Sequence, residues 1–320
     1  MRILSGIQPS GKIHLGNYFG MMKPALELQK IGEAFLFIAD YHALTTVTDP
    51  AFLRAAIKDV AVDYLACGLD TEKTVFYRQS DVPEVQELAW LLSNITPMGL
   101  LERCHSFKDK TAKGIAANHG LFAYPVLMAA DILIMQTNTV PVGRDQKQHV
   151  EVTRDIAIKF NNQYGEVFTI PAPSIRDEVA VVPGLDGQKM SKSYNNTIEI
   201  YGDPKQMEKK IMSIVTDSKT VEDPKDPETC NVFALYKLFA GDEQRRDMEE
   251  RYRKGGMGYG QAKKELAEMF DAYFTPFRQK REELLRHPDY VDEVLRKGAE
   301  KAREEACKTM RLARRAVGLE

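Results

Sequence analysis

The sequence predicts an α/β protein, a doubly wound parallel sheet with a second, α-helical domain at its carboxyl end. Three observations carry this. Apolar runs alternate with helical patterns through the first half of the chain, as strands covered on both faces by crossover helices do. Several of these runs end in glycine or in polar residues at a helix start. From about Thr197 the strand pattern stops and charged helical segments take over.

The first strand is Ile3 to Ile7, followed by turn chemistry at Pro9-Ser10-Gly11 and a helix whose apolar positions are Met21, Met22, Ala25, Leu26 and Leu28. The start of such a helix has unpaired N–H groups and the positive end of the dipole, so it suits a phosphate. Gly16 lets a planar ring or a ribose approach the backbone, while His14 and Asn17 can donate to phosphate oxygens. A tight turn with an exposed histidine is the alternative. Next come a strand at Ala34 to Asp40, a helix from Pro50 to Cys67 stopped by Gly68, a strand at Thr74 to Ser80 and a helix at Val85 to Leu92. In such sheets ligands sit beyond the carboxyl ends of the strands, where strand order reverses. Tyr41-His42 and Gln79-Ser80 fall at that edge.

Between about Thr96 and Ala117 the pattern breaks, and Lys108, Lys110 and Lys113 make either a solvated loop or a basic loop beside a phosphate site. Tyr124 to Met135 reads as a buried helix in which Asp131 shares a face with Tyr124 and Met128. A carboxylate amid Leu127, Met128, Ile132 and Leu133 needs a donor, supplied either by the protein, as a lysine or arginine, or by a ligand's phenol or indole N–H. A strand-turn at Thr139 to Gly143 then leads through Arg144, Asp145 and Gln146 to a helix carrying Val150, Ile156, Ala157 and Phe160. Extended runs at Val167 to Ile170 and Val179 to Pro183 precede a loop in which Lys189 and Lys192 stand among glycines, serines and asparagines. Two ammonium groups on such a loop can close over a polyphosphate.

The helical segments that follow are Lys205 to Thr216, Asn231 to Ala240, Glu243 to Arg253, Gln261 to Phe270 and a long terminal run. In that run Ala299, Ala302, Ala306, Met310, Ala313 and Val317 form a narrow stripe of mainly small residues that lets another helix pack closely. Arg296, Lys297, Lys301, Arg303, Lys308, Arg311, Arg314 and Arg315 make it locally basic, either a solvated face or a contact for an RNA backbone. With 44 basic and 46 acidic side chains the formal charge is −2, so nucleic-acid contact must come from a local face. Hydrophobic residues make up 43%, enough for a core, yet no run is long enough for a membrane span. Gln8-Pro9-Ser10-Gly11 stands where a signal peptide needs an unbroken apolar stretch, so the cytoplasm is expected. Cys67, Cys104, Cys230 and Cys307 are too scattered for a zinc or iron–sulfur site and read as reduced thiols.

Several separated strings then agree. His14-Leu15-Gly16-Asn17 resembles the first signature of class I aminoacyl-tRNA synthetases, and Lys189-Met190-Ser191-Lys192-Ser193 matches the second letter for letter. SGIQPSGKIHLGNY, LFAYPVLMAADIL, VPVGRDQKQH and ELAWLL with FKDKTAKG resemble the bacterial tryptophanyl-tRNA synthetases along essentially the whole chain. The chain departs from them at Arg144, where an acidic residue is usual, at Leu4, where an aromatic is common, and in the spacing of VPGLDGQ. That spacing leaves the strand residue facing adenine, within Val179 to Val182, undetermined.

The resemblance implies a Rossmann-like catalytic domain over residues 1–195 and an α-helical tRNA- and anticodon-binding domain over 196–320. It implies that Gln8, Pro9, Ser10, Gly16 and Asn17 line an ATP site and that His14 steadies the α-phosphate. Gly143, Arg144 and Asp145 then hold the adenosine end, while Lys189, Met190, Ser191, Lys192 and Ser193 close over the β and γ phosphates, aided by Lys110. Asp131 accepts the indole N–H of tryptophan, with Met128, Val140, Val142, His42 and Leu4 around the ring and Tyr124 and Gln146 near the amino group. The implied partners are ATP with Mg2+, L-tryptophan, tRNA(Trp) and a second copy of the chain, with no membrane, no DNA and no dedicated metal site. The nearest rival is a tyrosyl-tRNA synthetase; a non-catalytic RNA-binding derivative is the reading from another class.

Overall fold

The computed structural model describes residues 1–104, 118–142, 147–175 and 182–320. Five parallel strands, β1 (Arg2–Ile7), β2 (Glu33–Ile38), β3 (Thr74–Arg78), β4 (Thr139–Val142) and β5 (Ala172–Ile175), are ordered β3-β2-β1-β4-β5. The order reverses between β1 and β4, which puts the ligand crevice beyond the ends of those two strands.

Helical turn α1 (Leu15–Asn17) runs through a π-helical turn at Tyr18–Met22 into α2 (Lys23–Leu28). A short α3 (Asp40–Ala43) follows β2, so Asp40, read as the end of a strand, instead opens a helical turn. Helix α4 (Pro50–Ala66) starts at Asp49, whose carboxylate accepts the Ala51 N–H at 2.8 Å. Then come α5 (Glu84–Ser93), α6 (Met98–Glu102), α7 (His119–Ile134) and α8 (Lys147–Tyr164).

The run Val167 to Ile170 is not a strand. Asn161 at the end of α8 accepts the N–H groups of Val167 and Phe168 at 3.1 and 3.0 Å and donates to the Phe168 carbonyl at 2.8 Å. Backbone satisfied by a side chain in this way has little need of a ladder. Among the described residues the chain next joins the sheet at Ala172–Ile175, an edge where Pro173 is tolerated.

Strand residues alternate between two apolar layers. Ile7, Leu36, Ile38 and Phe76 join one cluster; Leu4, Phe35, Phe37, Tyr77 and Val140 join the other. The helical segments after Thr197 are α9 (Pro204–Met212), α10 (Asn231–Tyr236), α11 (Asp242–Lys254), α12 (Tyr259–Arg286) and α13 (Pro288–Val317). The first cluster runs on into them through Phe233, Phe270 and Phe274. Tyr18 and Tyr273 share a 2.9 Å hydrogen bond, and the Tyr18 ring lies edge-on to Phe274 at 5.2 Å. Asp63 of α4, buried, accepts from Arg281 of α12 at 2.6 Å, and Arg281 also reaches Asp59 at 2.6 Å.

Helix α13 passes the open edge of the sheet. Val291, Val294 and Leu295 enter the first cluster, while Ala299, Ala302, Ala306, Met310 and Ala313 enter the second. Between them Gly298 presses on β3: a Cβ there would stand 1.8 Å from the Phe76 carbonyl oxygen. The small-residue stripe thus packs on a strand and on α5. Most of the basic side chains are committed to carboxylates: Arg303 to Glu84, Arg314 to Glu87, Arg296 to Glu293 and Lys308 to Glu305.

Candidate active site at the carboxyl edge of the sheet

The site grows from the turn after β1. Gln8 and Ser10 are exposed, Pro9 is buried, and Gly11 takes φ +88°, a left-handed conformation that glycine alone adopts without strain. His14 then caps α1: its Nδ1 accepts the Asn17 N–H at 3.4 Å, and Asn17 Oδ1 accepts the His14 N–H at 3.4 Å. Acceptance at Nδ1 places the proton of the neutral ring on Nε2. Burial, then the charge of Lys192, push His14 down to about 4, so the ring is neutral at physiological pH. Gly16 lies beneath that ring and against Met190, where a Cβ would meet both within 3.3 Å.

The lysine loop is anchored to the same turn. Leu15 N–H donates to the Ile198 carbonyl at 2.9 Å and Ile200 N–H to that of Ile13 at 3.1 Å. Asn196, only 2% exposed, organises the loop from inside: it donates to Asp186 at 2.7 Å and to the Lys189 carbonyl at 3.2 Å, and accepts the Ser191 N–H at 2.8 Å. Met190 is buried, Lys189 and Ser193 are exposed, and Ser193 N–H donates to Ser191 Oγ at 3.3 Å. Lys192 Nζ donates to the Ser10 carbonyl at 2.8 Å, so the loop of the second signature string is tied to the turn that precedes the first.

A second set of side chains gathers beside it. The Ala39 N–H donates to the Ile7 carbonyl at 2.8 Å, which holds the turn after β2 against the turn after β1. From α3, His42 Nε2 lies 2.9 Å from Asp131 Oδ2, and Gln79, in the turn after β3, donates to both Asp131 oxygens at 2.9 Å. Among the described residues the carboxylate therefore draws its donors from histidine and glutamine and from neither lysine nor arginine. Burial raises the Asp131 carboxyl above the ordinary carboxylate range, and the His42 and Gln79 hydrogen bonds pull it back. Tyr124 Oη is 2.6 Å from His149 Nε2, and its ring lies edge-on to His42 at 6.3 Å. Leu4 and Val140 are buried in the adjoining layer, with Met128 and Val142 half-buried against it.

Of the residues expected here, Lys110, Gly143, Arg144, Asp145 and Gln146 lie outside the described residues, as do Val179 to Val181. Sequence reading placed Gln79 at the right edge but gave it no role, and it passed over Asn196 and His149. An amide after a strand carries no sign in the sequence that it is fully buried.

The chain compares closely with known proteins. A family profile described as tRNA synthetases class I (W and Y) matches residues 1–275. The tryptophan–tRNA ligase of Campylobacter jejuni is 53% identical, with the whole of both chains covered, and that of Rhodopirellula baltica is 54% identical over the same extent. A crystal structure of the C. jejuni tryptophanyl-tRNA synthetase complexed with ADP and tryptophan superposes with a TM-score of 0.93, covering the whole of both chains at 53% identity. The tyrosyl-tRNA synthetase of Archaeoglobus fulgidus, 20% identical, has a TM-score of 0.69 over 88% of this chain and 90% of its own, which speaks to the fold alone. Signature strings, sheet order and these likenesses converge: the chain belongs to the class I tRNA synthetases of the W and Y family.

Proposed function

We propose that the chain is a tryptophan–tRNA ligase that works in the cytoplasm, activating L-tryptophan with ATP and passing the aminoacyl group to a terminal ribose hydroxyl of tRNA(Trp). The observation that carries the choice of amino acid is Asp131, a buried carboxylate at the ligand edge of the sheet, bordered by Tyr124 and Met128 of its own helix. Its two donors among the described residues leave acceptor capacity for an indole N–H. The full-length likeness to two tryptophan–tRNA ligases, and the C. jejuni complex with ADP and tryptophan, support the same reading.

In the first step a tryptophan carboxylate oxygen bonds to the α-phosphorus of ATP as the bond to pyrophosphate breaks. Little covalent chemistry is asked of the protein, so positioning and electrostatics supply the rate. His14 donates from Nε2 to the α-phosphate oxygens, while Lys189 and Lys192, with Lys110, meet the charge building on pyrophosphate. Gln8, Pro9, Ser10, Gly16 and Asn17 hold ATP, and Gly143, Arg144 and Asp145 its adenosine end. Met190, Ser191 and Ser193 shape the loop around it. Leu4, Val140, Val142, Met128 and His42 wall the indole, with Tyr124 and Gln146 at the amino group.

Magnesium is proposed as the counter-ion that arrives with ATP. Among the described residues no group of three or more histidine, cysteine, aspartate or glutamate side chains is gathered to hold a metal, and no step is assigned to one. Residues 1–195 are proposed as the catalytic unit and 196–320 as the unit that meets tRNA, in a homodimer.

The test is ATP–pyrophosphate exchange with tryptophan and tyrosine offered separately. Exchange that depends on tryptophan is expected. Exchange with tyrosine instead, or with neither, overturns the reading.

A further inference from the structure

Gln79 follows β3 directly, opens a 3-10 turn and is completely buried. Its amide is fixed at both ends. Oε1 accepts the Tyr41 N–H at 3.1 Å, which decides which way the group faces, and Nε2 then stands 2.9 Å from each oxygen of Asp131. His42 Nε2 adds a contact of 2.9 Å to Oδ2 alone. Among the described residues Oδ2 thus meets two donors and Oδ1 one, so Oδ1 keeps the larger remaining capacity to accept.

A carboxylate at the head of a short side chain can rotate, and a rotated one offers a ligand the wrong lone pair. We propose that Gln79 is a positioning residue for amino-acid selection: held by Tyr41 N–H, it sets the Asp131 carboxylate plane so that Oδ1 accepts a ring N–H of the substrate. The inference rests on the reading of Asp131 as that acceptor. It assigns discrimination between rings with and without an N–H to a side chain that does not touch the substrate. Tyr41 enters through its backbone, so the device links the ends of β2 and β3 to α7.

The experiment uses the full-length enzyme and two substrates, L-tryptophan and 3-benzothienyl-L-alanine, which has sulfur in place of the indole N–H. The readout is the ratio of their kcat/KM values in ATP–pyrophosphate exchange. Q79M removes both amide contacts at similar volume, and the ratio is expected to fall about tenfold, chiefly through the KM for tryptophan, as loss of a hydrogen bond to a charged group implies. D131L, of similar volume and with no acceptor, is the control for the underlying reading and should lower the ratio too. If D131L lowers it while Q79M leaves it unchanged, or weakens both substrates alike, the positioning role is overturned and the reading of Asp131 stands. If D131L leaves the ratio at the parent value, the reading of Asp131 falls and the inference with it. Thermal unfolding checks that each variant folds; should Q79M fail, Q79N, one methylene short of reaching both oxygens, is read by the same ratio.

Discussion

Lys192 and Ser10, 182 positions apart in the chain, are joined by a 2.8 Å hydrogen bond from the ammonium to the turn carbonyl. The bond pins the lysine loop to the turn that follows β1, and it uses the group that a departing pyrophosphate would need. An ammonium carries three donors, so in the proposed reaction Lys192 can meet a phosphate oxygen while the turn still orients it.

Lys192→Ala should accordingly lower the maximal rate of tryptophan-dependent pyrophosphate exchange by about 100-fold or more, the range seen when a preorganised donor to developing charge is removed. The KM for tryptophan should move less than about threefold, since the interaction belongs to the transition state. Steady-state exchange kinetics at saturating ATP separate the two. Equal losses in both would mark the loop as structural.

His14 makes stability depend on pH. Its ring is held near 4 in the fold, against an ordinary 6.5, so between those values the unfolded chain takes up a proton that the folded one refuses. Stability contributed by the neutral ring is complete above 6.5 and is lost as pH falls towards 4. Urea unfolding at pH 7 and pH 4.5 should show His14→Gln losing about 2.5 kcal/mol less than the parent over that interval.

Arg281 and Asp63 join the sheet's flanking helix α4 to α12, and they should behave as a buried pair. Burial pushes the Asp63 carboxyl up to about 7 even with Arg281 pulling it down. Arg281→Met leaves that carboxylate alone and is expected to destabilise by about 3–5 kcal/mol, with much of the loss recovered in the double variant carrying Asp63→Asn. Because the orphaned group folds more readily protonated, the loss in Arg281→Met should grow as pH rises from 6 to 8.5. Denaturant midpoints across that range test the sign.

Gly298→Ala should be among the most damaging single-methyl changes. The added carbon would sit 1.8 Å from a backbone oxygen, which cannot swing aside as a side-chain tip would. A loss above about 3 kcal/mol is expected from the forced shift of helix against strand, read by chemical unfolding.

Much of this architecture was legible in the residues. Apolar runs such as AFLFI and TVFYR announced β2 and β3, and the switch to charged helices near Thr197 announced the second half. Asp131 stood out because a carboxylate is anomalous in YPVLMAADILIM, yet its donors did not, since His42 and Gln79 come from two other turns that only the strand order brings together. Val167 to Ile170 misled because periodicity reads side chains, and the backbone there is claimed by Asn161. The partners of the basic residues on α13 were hidden for a related reason: Arg303 and Arg314 find their acids on α5, far away in sequence.

The clip that α13 makes across β3 also bears on how the protein comes into being. Glu84 and Cys307, neighbours across that junction, are 223 positions apart. As the chain emerges during synthesis, β3 and the turn bearing Gln79 are made early, but the helix that closes the sheet's margin follows only after the rest of the helical region. Contacts of such long sequence separation form slowly, and until they form an unshielded strand edge is open to pairing with other chains. The nascent enzyme thus passes through a period in which its catalytic residues exist and its sheet is unfinished, the interval in which a chaperone would have most to offer.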